Sequence, residues 1–421
     1  MNKNCLTAEL IVLFLWSCGS PNQNKPITPE DLGVSSERLM RIDHYLNKAV
    51  SDSIIPGAVA LVARNGKVIY QKAFGIENPE TQAPFRTDHI FRIASMSKAI
   101  TSLGVLMLWE EGKFFLDDPI EKYIPEFEGI GVLNTFNPTD STYTIKPSEK
   151  KMTVRHLLTH TSGIGYGIID GDPRFKAIYH KAGIVDLFTT EDVSIEDNIK
   201  KLAKLPLHHE PGKKFTYSEG LDVLGYFIEL MSGQKFDRFL EERIFEPLDM
   251  QDTFFYLPKT HHERLVHIQT ENKGRWELFN GAFYDENYPI TGAQTFFSGG
   301  AGLSSTVADY AKFLQLFLDG GKGNGTQFIG KKTAELIFSD QLKNGSDFEY
   351  GLAFGLLSKN QFDKGGAGSI GTLTWGGYFN TSYFADPKEN VIGLIYKQTQ
   401  NIENDSTSGA FRELVFQSII E

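Results

Sequence analysis

The chain has 421 residues, enough for one large domain or two closely joined ones, and its 41% hydrophobic and 23% charged content can supply a sizeable core. A formal charge of −11 argues against nucleic acid or an anionic membrane face as a partner. Both cysteines, Cys5 and Cys18, fall in the first 18 residues, so a chain cleaved before Cys18 has no intrachain disulfide and no cysteine-based metal site.

The N-terminus reads as a targeting segment. Lys3 precedes an apolar run from Leu10 to Trp16, too short to span a bilayer but long enough for the core of a signal peptide. Leu15-Trp16-Ser17-Cys18-Gly19 then resembles a bacterial lipoprotein cleavage site, with Trp16 bulkier than usual and Glu9 at the edge of the run. The expectation is a leader over 1–17, lipidation at Cys18, a polar tether over 18–27 and export to the periplasm or cell envelope, the membrane being touched only through that anchor. An ordinary secreted leader or an uncleaved anchor is the alternative.

The remainder, 28–420, opens with Thr28-Pro29-Glu30-Asp31, a capping-box pattern. Leu39, Ile42, Leu46 and Ala49 then repeat at helical spacing. Ala58–Ala63 and Val68–Ala73 are β-type runs joined by Arg64-Asn65-Gly66-Lys67, and Asn-Gly supplies the positive φ angles of a tight hairpin. A long apolar helix is expected from Met96 to Glu111, and several helical patterns fill 116–299, among them Asp222–Met231. Thr306 to Asp309 is a further capping box, opening a helix to about Leu318. Strands return at Tyr350–Leu357, Gly371–Trp375, Thr381–Ala385 and Val391–Lys397, before a final helix from Gly409. This order predicts an α/β (α+β) fold: one sheet from about 28–115 and 300–420, with a helical region, about 116–299, inserted beside it.

Three segments carry candidate chemistry. Ser95 sits at the mouth of a helix in Phe91-Arg92-Ile93-Ala94-Ser95-Met96-Ser97-Lys98, and the spacing puts Lys98 on the same face. Free N–H groups and positive potential at that end suit an oxyanion, and a close amine can activate a weak hydroxyl nucleophile. Ser-x-x-Lys also occurs at Ser148 and Ser232, the first in a polar loop and the second at a helix C-terminus, where the dipole has the wrong sign. The second segment is Phe215-Thr216-Tyr217-Ser218-Glu219-Gly220; a tyrosine beside a lysine can accept a proton if the charge lowers its pKa. The third is Leu373-Thr374-Trp375-Gly376-Gly377-Tyr378, where Gly376 and Gly377 mark a close backbone approach, read as that of a substrate, and the Tyr378 N–H can donate to an oxyanion. Read singly, each segment has a bland alternative: a helix cap, a core tyrosine, a β-bulge.

Together, in this order, they resemble the Ser-x-x-Lys, Tyr-x-Asn and Lys-Thr-Gly boxes of the serine β-lactamases and penicillin-binding proteins, closest to the class C branch and its family VIII esterases. Leu157-Leu158-Thr159-His160-Thr161-Ser162-Gly163 and Ser298-Gly299-Gly300-Ala301-Gly302-Leu303 look like signature segments of that branch. The resemblance implies acylation of Ser95, a proton relay through Lys98 and Tyr217, an oxyanion hole from the N–H groups of Ser95 and Tyr378, and neither metal nor cofactor. Glu219 replaces the usual asparagine and Trp375 the usual lysine. With Tyr166, Gly376 and Gly377 they are the expected substrate-binding residues; Phe175 and Tyr179 join Tyr166 in a presumed pocket wall over 165–192. The implied function is a carboxylesterase acting on a small-molecule ester or amide. A β-lactamase or D-Ala-D-Ala-type carboxypeptidase is the first alternative, and a non-catalytic penicillin-binding-like sensor the second. Two rival signals fail: His156 and His160 have zinc-helix spacing but Leu157 stands where glutamate is needed, and there is no Gly-x-Ser-x-Gly elbow.

Overall fold

The computed structural model describes residues 27–280, 283–343, 348–402 and 405–421. The expected leader and lipidation site, with Cys5 and Cys18, lie outside them.

Thr28 and Asp31 do hydrogen-bond as a capping pair, but around a single 3-10 turn, Glu30–Leu32, that ends at Gly33 with φ +67°. The long helix α1 (Ser36–Ser51) starts later, where the Ser35 hydroxyl accepts the Arg38 N–H. It lays Leu39, Ile42, Leu46 and Ala49 on the sheet. β1 (Gly57–Arg64) and β2 (Lys67–Asn78) form the expected hairpin, with φ of +51° at Asn65 and +71° at Gly66. After β3 (Ala83–Pro84) and α2 (Ser97–Glu110), the helical region contributes α3 (Gly220–Ser232). It also holds a β-hairpin, Gly131–Phe136 with Tyr143–Pro147, that helical periodicity did not reveal. α4 (Val307–Leu318) and five strands follow: β4 (Glu349–Tyr350), β5 (Gly355–Leu356), β6 (Leu373–Gly376), β7 (Thr381–Asp386) and β8 (Val391–Tyr396). The last helix is α5 (Thr407–Ser418).

The eight strands form one antiparallel sheet in the order β4-β5-β6-β7-β8-β1-β2-β3, so the two ends of the chain meet at β8–β1, where Leu61 faces Leu394. Every residue of β1 is buried because the strand feeds two cores. Ala58, Ala60 and Val62 pack with α1 and α5, while Val59, Leu61 and Ala63 pack with α2, α4 and the helical region. Both faces being covered is why β1 reads as an unbroken apolar run.

The expected strand Tyr350–Leu357 is instead a reversal between β4 and β5. The Gly351 N–H donates to Phe354 O at 2.8 Å, and Ala353 takes φ +115°. A Cβ on Gly351 would lie 2.0 Å from Ile337 O, so the turn folds tightly onto the neighbouring helix. Among the described residues no helix is long and apolar enough to cross a membrane.

Candidate active site

Ser95 does not stand on α2 itself but on the 3-10 turn Ala94–Met96 that runs into it. Ala94 holds φ +42°, a left-handed conformation costly for a residue with a Cβ. The surroundings impose it: Ile93 N–H donates to Leu303 O (3.0 Å), Tyr310 OH to Met96 O (2.8 Å), and Leu303 N–H to Ser97 Oγ (3.1 Å). The turn is pinned on both sides, and Ser95 on it is 9% exposed.

Lys98 is 1% exposed, and its ammonium donates to Ser95 Oγ at 3.4 Å, Tyr166 OH at 3.0 Å and Gly300 O at 2.7 Å. It lies beside two stacked rings, 4.9 Å from the centroid of Tyr166 and 4.6 Å from that of Tyr217, which are 5.2 Å apart. Tyr217 therefore meets Lys98 through its ring face, and among the described residues its hydroxyl has no hydrogen-bond partner. The indole of Trp375 stands 5.8 Å from Tyr217 on the far side.

The two signature segments explain this placement. His160, fully buried with φ +53°, packs its ring 4.7 Å from Tyr217 and hydrogen-bonds Ser218 through Nδ1, to Oγ at 3.0 Å and to the N–H at 3.2 Å. Burial first, then the Lys98 charge, hold its pKa well below the usual value, so it serves as a neutral platform for the Tyr217 turn. Asp222, on the first turn of α3, accepts Ser298 Oγ at 2.6 Å and the Gly300 N–H at 3.2 Å, which aims the Gly300 carbonyl at Lys98. Gly300 has no room for a side chain: a Cβ would lie 2.7 Å from Asp222 Oδ2. Sequence reasoning quoted these segments but assigned no role to His160, Asp222, Ser298 or Gly300.

Gly377 approaches protein closely. A Cβ on Gly377 would fall 2.3 Å from Thr381 Oγ1 and 2.4 Å from Ile93 O. The strand edge thus presses on the turn that carries Ser95. Neither the Ser95 nor the Tyr378 N–H is spent on a hydrogen bond among the described residues.

Two expected substrate contacts are corrected. Tyr166 is 1% exposed and bonded to Lys98, so it belongs to the amine's cradle. Phe175 and Tyr179 are equally buried, Phe175 stacking on His208 and the Tyr179 hydroxyl accepting the Gly165 N–H at 2.9 Å; they are core. Glu219 is likewise enclosed, with both carboxyl oxygens sealed from solvent. Burial, followed by the neighbouring Asp186 and Asp222 carboxyls, pushes its pKa well above the usual carboxylate range, which favours the neutral form of a group already sealed from solvent.

The rival serines are otherwise engaged. Ser148 Oγ bonds Lys150 O and Glu210 Oε2, and Ser232 Oγ donates to Ile228 O. His156 turns Nδ1 back onto the Thr153 N–H as half of a helix-capping box.

Comparison with known proteins agrees with this geometry. The β-lactamase family model matches residues 42–415. Esterase EstB of Burkholderia gladioli is 30% identical over 402 residues, covering 89% of this chain and 94% of its own. A methylbutanoyltransferase of ML-236A carboxylate from Penicillium citrinum is 26% identical, covering 89% and 92%. The solved structure of EstCE1, described as a hydrolase with promiscuous acyltransferase activity, superposes with a TM-score of 0.74 at 24% identity over 91% of this chain and 98% of its own. The chain belongs to the β-lactamase family of serine hydrolases.

Proposed function

We propose that the protein hydrolyses carboxylic esters through an acyl-enzyme on Ser95. The reading rests on one observation: the Lys98 ammonium is fixed between the Ser95 hydroxyl and the Gly300 carbonyl, under the ring of Tyr217. In the first half-reaction, with Lys98 in its neutral amine form, Ser95 Oγ attacks the ester carbonyl while Lys98 takes its proton; Tyr217 OH then gives a proton to the departing alcohol and recovers one from Lys98. The N–H groups of Ser95 and Tyr378 take the oxyanion. Water then attacks the acyl-enzyme and the same relay runs in reverse. The names of EstCE1 and the Penicillium relative favour a second acceptor, an alcohol in place of that water.

Esters are preferred to β-lactams because Trp375 occupies the place where the lactamase pattern has a lysine for the substrate carboxylate. A hydrogen bond to a charged group contributes about 1.5–3 kcal/mol, so its loss costs one to two orders of magnitude. Glu219, being neutral, adds no repulsion, and the preference rests on Trp375 alone. The test compares kcat/KM for p-nitrophenyl butyrate with that for a chromogenic cephalosporin. A cephalosporin turned over as efficiently as the ester promotes the lactamase reading. We also propose lipidation at Cys18 and export; fatty-acid labelling of wild type and Cys18→Ser tests it, and equal labelling of both contradicts it.

A further inference from the structure

The ester mechanism leaves two carboxyls unused. Glu219 follows Tyr217 by two residues and ties its turn to Gly165, its N–H donating to Gly165 O at 3.0 Å. Its carboxyl oxygens meet no N–H or O–H donor; the group within hydrogen-bond reach is the carboxyl of Asp186. Asp186 Oδ1 is also buried without a donor, while Oδ2 accepts the Ile168 N–H at 3.0 Å. Asp186 also sits so close on Gly167, φ +50°, that a Cβ there would lie 1.8 Å from Oδ1. One carboxyl therefore grips the turn that carries Tyr166, and the other belongs to the turn that carries Tyr217. Two acceptors cannot bond each other unless one keeps a proton.

We propose that Glu219 and Asp186 share one proton, and that the resulting O–H···O bond is a clasp holding Tyr166 and Tyr217 at their spacing around Lys98. Both are positioning residues for the relay put forward above, and the inference rests on that reading. Burial and the neighbouring acids favour the protonated form of Glu219. The other charged or titratable groups facing the pair are Lys98 from α2, Asp222 from α3, and the hydroxyls of Tyr166 and Tyr179. Tyr217 faces Tyr166, and the Asp170–His208 pair lies behind Tyr166. The Lys98 charge favours ionisation of Glu219, whereas the Asp222 carboxyl opposes it. Alkaline pH removes the proton, leaves two carboxylates facing each other and releases the clasp.

Glu219→Gln separates this from titration of Lys98, because an amide N–H donates to Asp186 at every pH. Activity on p-nitrophenyl butyrate and the rate of fluorophosphonate labelling are followed from about pH 6 to about pH 10 for wild type, Glu219→Gln and Glu219→Leu, with thermal unfolding alongside. Glu219→Gln is expected to stay within about threefold of wild type near neutrality and to carry its activity at least about one unit further into the alkaline range. Glu219→Leu, with no bond to Asp186, is expected to lose at least about tenfold in kcat at all pH values with little change in KM, since small misplacements of reacting groups cost that much or more. Superimposable alkaline limbs for wild type and Glu219→Gln overturn the proposal, as does a folded Glu219→Leu that matches wild type. If the wild type hydrolyses no ester and takes no label on Ser95, the ester reading fails; the clasp is then judged by Tm, and equal loss of Tm with rising pH in wild type and Glu219→Gln overturns it.

Discussion

Replacing Lys98 by methionine keeps the volume of the side chain and removes only its ammonium. In the folded chain that ammonium makes three hydrogen bonds, to Ser95 Oγ, Tyr166 OH and Gly300 O. Bonds to a charged group contribute about 1.5–3 kcal/mol each, but burying an ammonium costs several kcal/mol, so the two terms nearly cancel in stability. They do not cancel in rate. An amine positioned to move the Ser95 proton accounts for about 10²–10⁴ in turnover, or roughly 3–5 kcal/mol of barrier. The expected result is an unfolding midpoint close to wild type together with a fluorophosphonate labelling rate, and a kcat/KM on p-nitrophenyl butyrate, lower by at least about a hundredfold. A well-folded Lys98→Met chain that labels within about threefold of wild type refutes the assignment of Lys98 as activator, and with it the relay.

Ser95→Ala should abolish labelling altogether by intact mass, and a label retained would send the assignment elsewhere. Gly377→Ala should lower kcat by about 10–10³ with little change in the overall fold, because the new methyl lies 2.4 Å from Ile93 O and must push the Tyr378 N–H away from Ser95; unchanged kcat would remove Tyr378 from the oxyanion hole. Glu219→Gln should gain stability over wild type as pH rises. Glu219 is protonated when folded and ionised when unfolded above its ordinary pKa of 4.5, so the native chain binds the extra proton and wild-type stability falls with pH. The gap widens by at most about 1.4 kcal/mol per unit from about pH 4.5 up to the raised pKa, and denaturant titrations at about pH 5 and about pH 8 read it directly. Asp405→Asn should destabilise by about 3 kcal/mol, since it removes the negative charge at 2.5 Å from Lys397, whose side chain is wholly buried and keeps only neutral hydroxyl and amide partners; a Tm within a degree or two of wild type would contradict this.

What could be read in the sequence was what is local along the chain. Ser95 and Lys98 are one helical turn apart, Asn65-Gly66 fixes its own hairpin, and the apolar run of β1 announces a strand covered on both faces. What could not be read was set by segments that meet only after folding. Gly300 reaches Lys98 across 202 residues, and Asp222 reaches Ser298 across 76. A buried acid and an exposed one look alike in a sequence, so Glu219 read as a charge at the pocket when it is a neutral group behind it. Tyr166 read as a pocket wall for the same reason, its ring being aromatic in either setting.

The contact between Gly377 and Ile93 shows how these two kinds of information combine. The Ser95 turn belongs to the N-terminal part of the chain, and Gly377 to the sheet edge built by its C-terminal part. Neither segment contains the proposed oxyanion hole; it would form only where β6 leads Gly377 against the turn at Ala94. Closing the sheet through β8 and β1 is therefore the same event as completing the site, because the pairing that puts Leu61 opposite Leu394 also sets the height of β6, two strands away. A glycine is required at 377 by protein packing, and that packing would aim the Tyr378 N–H in the proposed oxyanion hole. Fold and chemistry place their demand on the same residue, which is why the Gly-Gly signal was visible in the sequence although its cause was not.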